Sequence, residues 1–473
     1  MNRTSIHDEW SSRMAFILAA TGSAVGLGNI WKFPYMAGQY GGGAFVITYL
    51  LCVIIICLPV MMAEVMLGKR GRNSPINTMY YLAKETKQSK LWVLLGWSGA
   101  IAGFLILSYY SVIAGWALAY VPQLASGTFS VVGTMPSTEV APFVDSIFNS
   151  LVGDPVKLIA WHTGFIVITM FMIAGGVKGG IERAVTFMMP ALFIVLLVLV
   201  GYAMSTPNFM QGFHFMFNIN FDNLLYPNCT EQVCELSGEG LLAAMGQAFF
   251  SLSLGMGSIM VYGAYLSKDA SVSKVTAAVV FADTLVAILA GLIIFPIVFS
   301  NGLEPGAEVG LVFKTLPIAF GQMPFGTLFG TLFFVLLVLA ALSSSISLIE
   351  PVVAWLVETG KFTRITASIL SGLSVWLVGL ITVFSFNIWS EVKPLGGLNL
   401  FELIDYLTAN IILPISGLLI AIFVGWLMNK SIVTEELNSS SDSFGYRIWY
   451  FLLRYITPFG VSIVFLNAIG VFS

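Results

Sequence analysis

Long apolar runs separated by short polar segments organise the whole chain. Eleven runs stand out, at about 11–38, 44–68, 91–122, 158–176, 185–204, 240–265, 272–299, 325–357, 365–385, 401–428 and 447–471. Each has about the 20 residues that a helix needs to cross a hydrocarbon core. The runs are continuous instead of alternating with period two, so the pattern predicts membrane helices and not a barrel. The segments 123–157 and 205–239 are long and acidic and are read as loops.

Composition supports the same solvent. Of the 473 residues, 58% are hydrophobic and 10% charged, and mean hydropathy is +0.91. Soluble domains carry roughly 25% charged residues, so lipid must cover this surface. The net charge of −3 gives no reason to expect a nucleic-acid partner. His7, Asp8, Glu9 and Arg13 precede the first run, which continues as a full span, so no cleavable leader is expected. With the N-terminus in the cytoplasm, seventeen Lys and Arg residues fall inside and only Lys32, Lys157, Lys314 and Lys393 outside. That asymmetry predicts a cytoplasmic N-terminus and, with eleven spans, a C-terminus outside. Cys52 and Cys57 lie in an apolar span and are read as packing. Cys229 and Cys234 lie in an outer loop, where a short disulfide and two free thiols remain equal alternatives.

Two spans carry small residues near their centres. Span 1 contains Thr21-Gly22-Ser23-Ala24-Val25-Gly26-Leu27-Gly28-Asn29, and span 6 contains Ser251-Leu252-Ser253-Leu254-Gly255-Met256-Gly257-Ser258. Close helix packing alone accounts for an isolated Gly-x-Gly. Dividing ten spans into two sets of five, however, puts spans 1 and 6 at equivalent positions. Matched interruptions of this kind point to a transporter binding site. Each set holds an odd number of spans, so the two are inverted. Unwinding frees carbonyl oxygens for a cation and amides for a carboxylate.

The motifs resemble the neurotransmitter:sodium symporter family. Trp10-Ser11-Ser12-Arg13, then GSAVGLGNIWKFPY from Gly22 to Tyr35 and GGGAF from Gly41 to Phe45, look like its opening. GQAFFSLSLGMGS from Gly246 to Ser258 and ALSSSIS from Ala341 to Ser347 continue the likeness. The resemblance implies an all-α integral membrane protein with the leucine-transporter fold. Eleven transmembrane helices would form a 5+5 inverted repeat, with helices 1 and 6 unwound. The first repeat would span 11–204, the second 240–428, and 447–471 would be an added helix in one transporter domain, 1–473.

The same resemblance implies two sodium sites. One would use Ala24, Asn29, Ser251 and a residue of span 7; the other Gly22, Val25, Ala340, Ser343 and Ser344. Ser23, Ala24, Gly26, Leu27, Gly28 and Ser251 would stand at the solute, and Tyr110 would give its carboxylate a hydroxyl. Gly26 leaves room for that carboxylate where monoamine carriers place Asp. Ile106, Phe250, Ser253, Gly255, Met256, Ser347 and Leu348 would line the side-chain pocket without a charge. An ionised side chain would be buried unpaired there, so a neutral, apolar or aromatic L-amino acid is expected. Met256 gives the lining a flexible member.

Charges inside spans are costly, about 2.5–3.5 kcal/mol at the centre, and mark function by default. Asp283 lies about eleven residues into span 7, and the resemblance aligns it with a ligand of the first sodium, usually Asn, which implies a charged sodium ligand. Ala287, one turn on, aligns with the chloride-ligating serine of relatives, so chloride-independent transport is expected. Lys32 and Asp405 match an outer gate pair, although lysine lacks the two-pronged grip of the usual Arg. At the inner end Trp10, Tyr265 and Glu358 fit the family pattern; His7 stands where an Arg is usual, and Arg3 is an alternative partner.

These expectations describe a sodium-coupled symporter in a bacterial inner membrane, monomeric or weakly dimeric, whose partners are an amino acid and the bilayer. A symporter for a non-α amino acid or sulfonate and a transport-silent sensor are the alternatives. An aspartyl protease is excluded by the separation of Asp283, mid-span, from Asp405, near a span end.

Overall fold

The computed structural model describes residues 7–226, 236–302, 311–438, 440–441, 443–469 and 471. Arg3, Cys229 and Cys234 lie outside the described residues. Nine described helices are long and apolar enough to cross a membrane: Gly43–Gly71, Lys90–Ala125, Pro155–Ala174, Val177–Met204, Val272–Ser300, Gly326–Glu358, Arg364–Ser385, Leu400–Leu427 and Phe444–Asn467. They correspond to spans 2–5 and 7–11. Span 1 is a pair, Arg13–Ala24 and Gly28–Gln39, bent by 54° at its break. Span 6 is Glu239–Ser251 and Ser258–Ala264 with a non-helical segment between them. The two segments read as loops also hold helices, Ser137–Val152 and Phe209–Phe217. Their apolar positions are spaced to bury one face, including Val140, Val144 and Leu151 in the first and Met216 in the second.

Both breaks have local causes. Ser12 caps the start of span 1 by accepting from Ala15 N, and the helix runs to Ala24, where Val25 turns extended at φ −69°, ψ 108°. In span 6 the chain enters the left-handed region at Ser253 (φ 52°), Gly255 (φ 77°) and Gly257 (φ 74°). Two of these are glycines, which adopt it without strain. Ser253 is not, and its hydroxyl donates to Ser23 O at 2.9 Å, holding the turn against the other break. The buried Glu64 of span 2 accepts from Gly255 N at 3.1 Å. A freed amide in a membrane interior is therefore satisfied by a side chain from a neighbouring helix.

Spans 3, 4, 8 and 9 pack on one another, and spans 1, 2, 6 and 7 form a second set. The broken segments lie where the sets meet. Backbones approach closely there because the crossing residues are small. Gly68 of span 2 sits against Met260 O, and a Cβ on Gly263 of span 6 would come within 2.6 Å of Val65 O. Neither helix backbone can yield without losing its own hydrogen bonds. Gly263→Val should therefore cost about 1–3 kcal/mol by overpacking. A lowered melting temperature of the purified protein, by fluorescence-monitored size exclusion after heating, checks this; an unchanged value would refute the close approach.

Candidate ion and solute site

Between the two breaks, span 7 contributes its one acid. Asp283 is fully buried. Asn29 Nδ2 donates to its Oδ1 at 2.8 Å, and Ser251 Oγ donates to its Oδ2 at 2.7 Å. Asn29 Nδ2 also reaches Ser251 Oγ at 2.9 Å, while Gly26 N donates to Asn29 Oδ1 at 3.1 Å. Tyr49 of span 2 donates to Ser251 Oγ at 3.2 Å. Among the described residues no Lys, Arg or His pairs with Asp283. A carboxylate so far from water needs a compensating charge, and neutral donors supply only part of it. The oxygens of Ser251 and Asp283 form a hard donor set that fits a small cation, and Asn29 turns Nδ2 toward them and Oδ1 toward Gly26 N. Ala24 borders the same break.

A second cluster joins spans 1 and 8. Ser344 Oγ donates to Val25 O at 3.1 Å and lies 3.3 Å from Gly22 O. Ser343 Oγ, beside them, donates to Ala340 O at 3.0 Å. A Cβ on Gly22 would lie 3.0 Å from Ser343 Cβ, so glycine lets the two helices meet here. This cluster is wholly neutral: carbonyls and hydroxyls without a carboxylate. The residues fit a monovalent cation, which needs oxygen dipoles but little opposing charge.

The remaining predicted residues gather around these clusters. Tyr110 Oη accepts from Leu27 N at 3.2 Å. Ser23 Oγ donates to Ser347 Oγ at 2.8 Å, tying span 1 to span 8. Ile106, Met256 and Leu348 are buried. Phe250 packs on Gly28, whose missing Cβ would meet the ring at 2.9 Å. Gly255 turns away, its amide on Glu64 and its Cβ direction on Leu413 O of span 10. A cavity of about 220 Å³ opens beside Leu27, Gly28, Tyr110 and Phe250 and reaches Lys32 and Asp405. Lys32 and Asp405 thus face one space, but Lys32 Nζ sits 4.6 Å from the centre of the Phe250 ring, and no ion pair joins it to Asp405.

The opposite end is sealed. Trp10 N donates to Tyr265 O at 2.9 Å, and Trp10 Nε1 to Tyr262 O at 3.1 Å. His7 Nε2 meets Glu358 Oε1 at 2.9 Å, so His7 takes the place of the usual Arg. Glu358 also accepts from Ser74 N at 2.5 Å and Asn77 Nδ2 at 2.6 Å. Deeper, the fully buried Glu350 accepts from Tyr265 at 2.7 Å and from both Arg364 nitrogens, at 2.8 and 2.5 Å. Sequence reasoning missed Glu64, Glu350, Arg364 and Tyr49. An acid within an apolar run, the signal that singled out Asp283, is present at Glu64 and Glu350 as well.

The profile of the Sodium:neurotransmitter symporter family matches residues 7–131 and 151–473. The chain belongs to this family. It is an integral membrane protein and a sodium-coupled symporter. A sodium-dependent transporter of Bacillus subtilis (strain 168) is 37% identical over 468 residues, 98% of each chain. One of Haemophilus influenzae is 33% identical over 97% of each. The rat sodium- and chloride-dependent GABA transporter 2 is 26% identical across 93% of this chain and 76% of its own. Among solved structures, MhsT in complex with L-phenylalanine superimposes with a TM-score of 0.87 at 38% identity, over 98% of this chain and all of that one. The symporter therefore has the leucine-transporter fold expected from its motifs.

Arg364→Ala would leave Glu350 charged and unpaired in the interior, which should cost about 3–5 kcal/mol. Arg364→Lys should recover only part of it, because a lysine cannot grip both carboxylate oxygens. Thermal unfolding of the purified variants measures both; equal stability of the Ala variant and the wild type would overturn the assignment.

Proposed function

We propose that this symporter carries a neutral, apolar or aromatic L-amino acid inward together with two sodium ions, without chloride. The observation that carries the reading is Asp283: a fully buried carboxylate held by Asn29 and Ser251 where both broken helices meet. A fixed anion at that place supplies the charge that a chloride would otherwise bring. One sodium would bind Ala24, Asn29, Ser251 and Asp283, with the solute carboxylate completing the shell. The second would bind Gly22, Val25, Ala340, Ser343 and Ser344. Gly26 favours a carboxylate over a side-chain acid, since a Cβ there would come within 2.7 Å of Ser344 Oγ. The relative solved with L-phenylalanine supports the solute class.

The closed end carrying Trp10, His7 and Glu358 is assigned to the cytoplasm by its basic residues, and the Lys32–Asp405 cavity to the outside. Inward carriage would then close Lys32 and Asp405 over the solute and release the Trp10–Tyr265 and His7–Glu358 contacts. Each five-helix repeat, 11–204 and 240–428, would give two spans to each packed set, and the set of spans 1, 2, 6 and 7 would move against that of spans 3, 4, 8 and 9. A second reading, a non-α amino acid such as β-alanine or a sulfonate such as taurine, has the GABA-transporter relatives in its favour.

Scintillation-proximity binding of the common amino acids, in sodium and in potassium, tests the function. Apolar or aromatic amino acids should bind in sodium only, and taurine should compete poorly. Full affinity in potassium would remove sodium coupling. In proteoliposomes, replacing chloride by gluconate should leave uptake unchanged; a loss would overturn chloride independence. Asp283→Asn should weaken apparent sodium affinity about tenfold or more, the cost of one lost ionic ligand. Sodium titration of uptake reads this directly.

A further inference from the structure

Among the described residues, no Asp or Glu pairs with Arg454 of span 11. The arginine lies beside Gly425, near the end of span 10: a Cβ on that glycine would come within 3.2 Å of Arg454 Cα. This is the Trp10 end of the bundle. The Lys430–Glu436 helix that follows span 10 meets the close of span 2 through Lys69–Glu436 at 3.4 Å and Arg70–Glu435 at 3.1 Å, and Arg72 there pairs with Glu9. Both spans are wound as π-helices at this level, over Phe423–Leu427 and Leu452–Ile456. The carbonyls of Gly425 and Arg454 accept from Tyr450 Oη at 2.8 Å and from Trp426 Nε1 at 3.1 Å. Those bonds fix the rings around the guanidinium, whose carbon stands 4.2 Å from the centre of Trp426, 5.6 Å from Tyr455 and 5.8 Å from Tyr450. Lys430 Nζ lies 5.3 Å from the same Tyr450 ring. Trp426 and Tyr455 are exposed, so the cluster opens on the lipid-facing side.

We infer that Arg454 and Lys430 form a binding site for the phosphodiester headgroup of an anionic phospholipid in the leaflet at the Trp10 end. A guanidinium has five N–H donors in a fixed fork. Here Nη1 reaches Tyr450 Oη at 3.4 Å, a long contact, and Nε is buried without a partner. An ionised group within a span is costly and calls for a counter-group. The ring faces supply part of the attraction, but they leave the in-plane N–H groups without acceptors. Phosphate oxygens supply those acceptors in the two-pronged contact that arginine makes. The acids on the helix of Lys430, Glu435 and Glu436, are engaged by Arg70 and Lys69. Two cations without a free acid select a headgroup of net negative charge, as in phosphatidylglycerol, over phosphatidylethanolamine, whose ammonium Lys430 would repel. Basic pockets between spans hold such headgroups. The depth fits, since the end of a span, with its Trp and Tyr, is where lipid headgroups lie. Phe451, Tyr455 and Phe459, spaced four apart on one face of span 11 and all exposed, give the acyl chains a surface leading away from the phosphate.

The test is native mass spectrometry of the purified protein in mild detergent, titrated with palmitoyl-oleoyl phosphatidylglycerol or the matching phosphatidylethanolamine. One phosphatidylglycerol should bind about tenfold more tightly than phosphatidylethanolamine. Arg454→Gln should lower its affinity about tenfold, the worth of one hydrogen bond to a charged group, and Arg454→Lys should recover part of the loss. Lys430→Gln, on an exposed loop helix, should lower it about fivefold, and it decides the matter if Arg454→Gln fails to fold. Lys157→Gln, exposed at the start of span 4, should change nothing. Equal affinity for the two lipids, or unchanged phosphatidylglycerol binding in both Lys430→Gln and Arg454→Lys, overturns the site. A loss in Lys157→Gln as large as in Lys430→Gln reduces the effect to overall charge and overturns it too. Displacement of the lipid by soluble glycerol 3-phosphate would make the ligand a free phosphate. A dimer that retains no lipid and that Arg454→Gln dissociates would give the arginine to an acid of a second copy; either result overturns the lipid assignment.

Discussion

A membrane interior offers no water to an unpaired backbone amide or carbonyl, and that constraint governs this protein. Two of its spans are broken where every other part of the bundle is continuous, so each freed group must find a partner among neighbouring side chains or bound solutes. Glu64 takes the amide of Gly255. Ser344 takes the carbonyl of Val25, and Ser253 that of Ser23. Gln247 Nε2 donates to Gly28 O at 2.9 Å, and Asn29 Oδ1 receives Gly26 N. The partners come from spans 1, 2, 6 and 8, so the breaks are held open by the bundle as a whole. The same carbonyls and amides, poised but only weakly committed, are what a cation and a zwitterion can use.

The two oxygen-rich clusters at the breaks differ in charge. One holds the buried carboxyl group of Asp283, with amide and hydroxyl donors arranged around it. The other is neutral and built from dipoles. A fixed carboxylate in a low-dielectric interior binds a cation strongly and tolerates its absence badly; carbonyls and hydroxyls do both more gently. Under the proposed function, an ion at Asp283 would share the solute's carboxylate while an ion at the neutral cluster would act through helix contacts.

The ends of the bundle differ for a related reason. At the Trp10 end, backbone acceptors, aromatic rings and two buried acids interlock, with Glu350 gripped by Arg364 and Glu358 by His7, Ser74 and Asn77. At the Lys32 end a cavity separates the two charged groups, and Lys32 rests on Phe250. The structure is therefore closed on one side and accessible on the other, the asymmetry that alternating access requires.

Much of this was legible along the chain. Apolar run length determined that the protein is a helical membrane bundle, because lipid admits few other backbones, and glycine clusters at matching positions marked where two spans break. Asp283 announced itself as an acid in an apolar run, and Gly26 by the side chain it lacks. What the chain could not show by itself was which polar groups from distant spans meet. Nothing local says that Glu64 holds the span 6 break, that Arg364 reaches back to Glu350, or that Ser344 and Tyr110 both border Gly26. Helical periodicity predicts which residues share a face, but only the packing angles of the assembled spans decide which faces touch, and hydrogen bonds form or fail over a few tenths of an ångström.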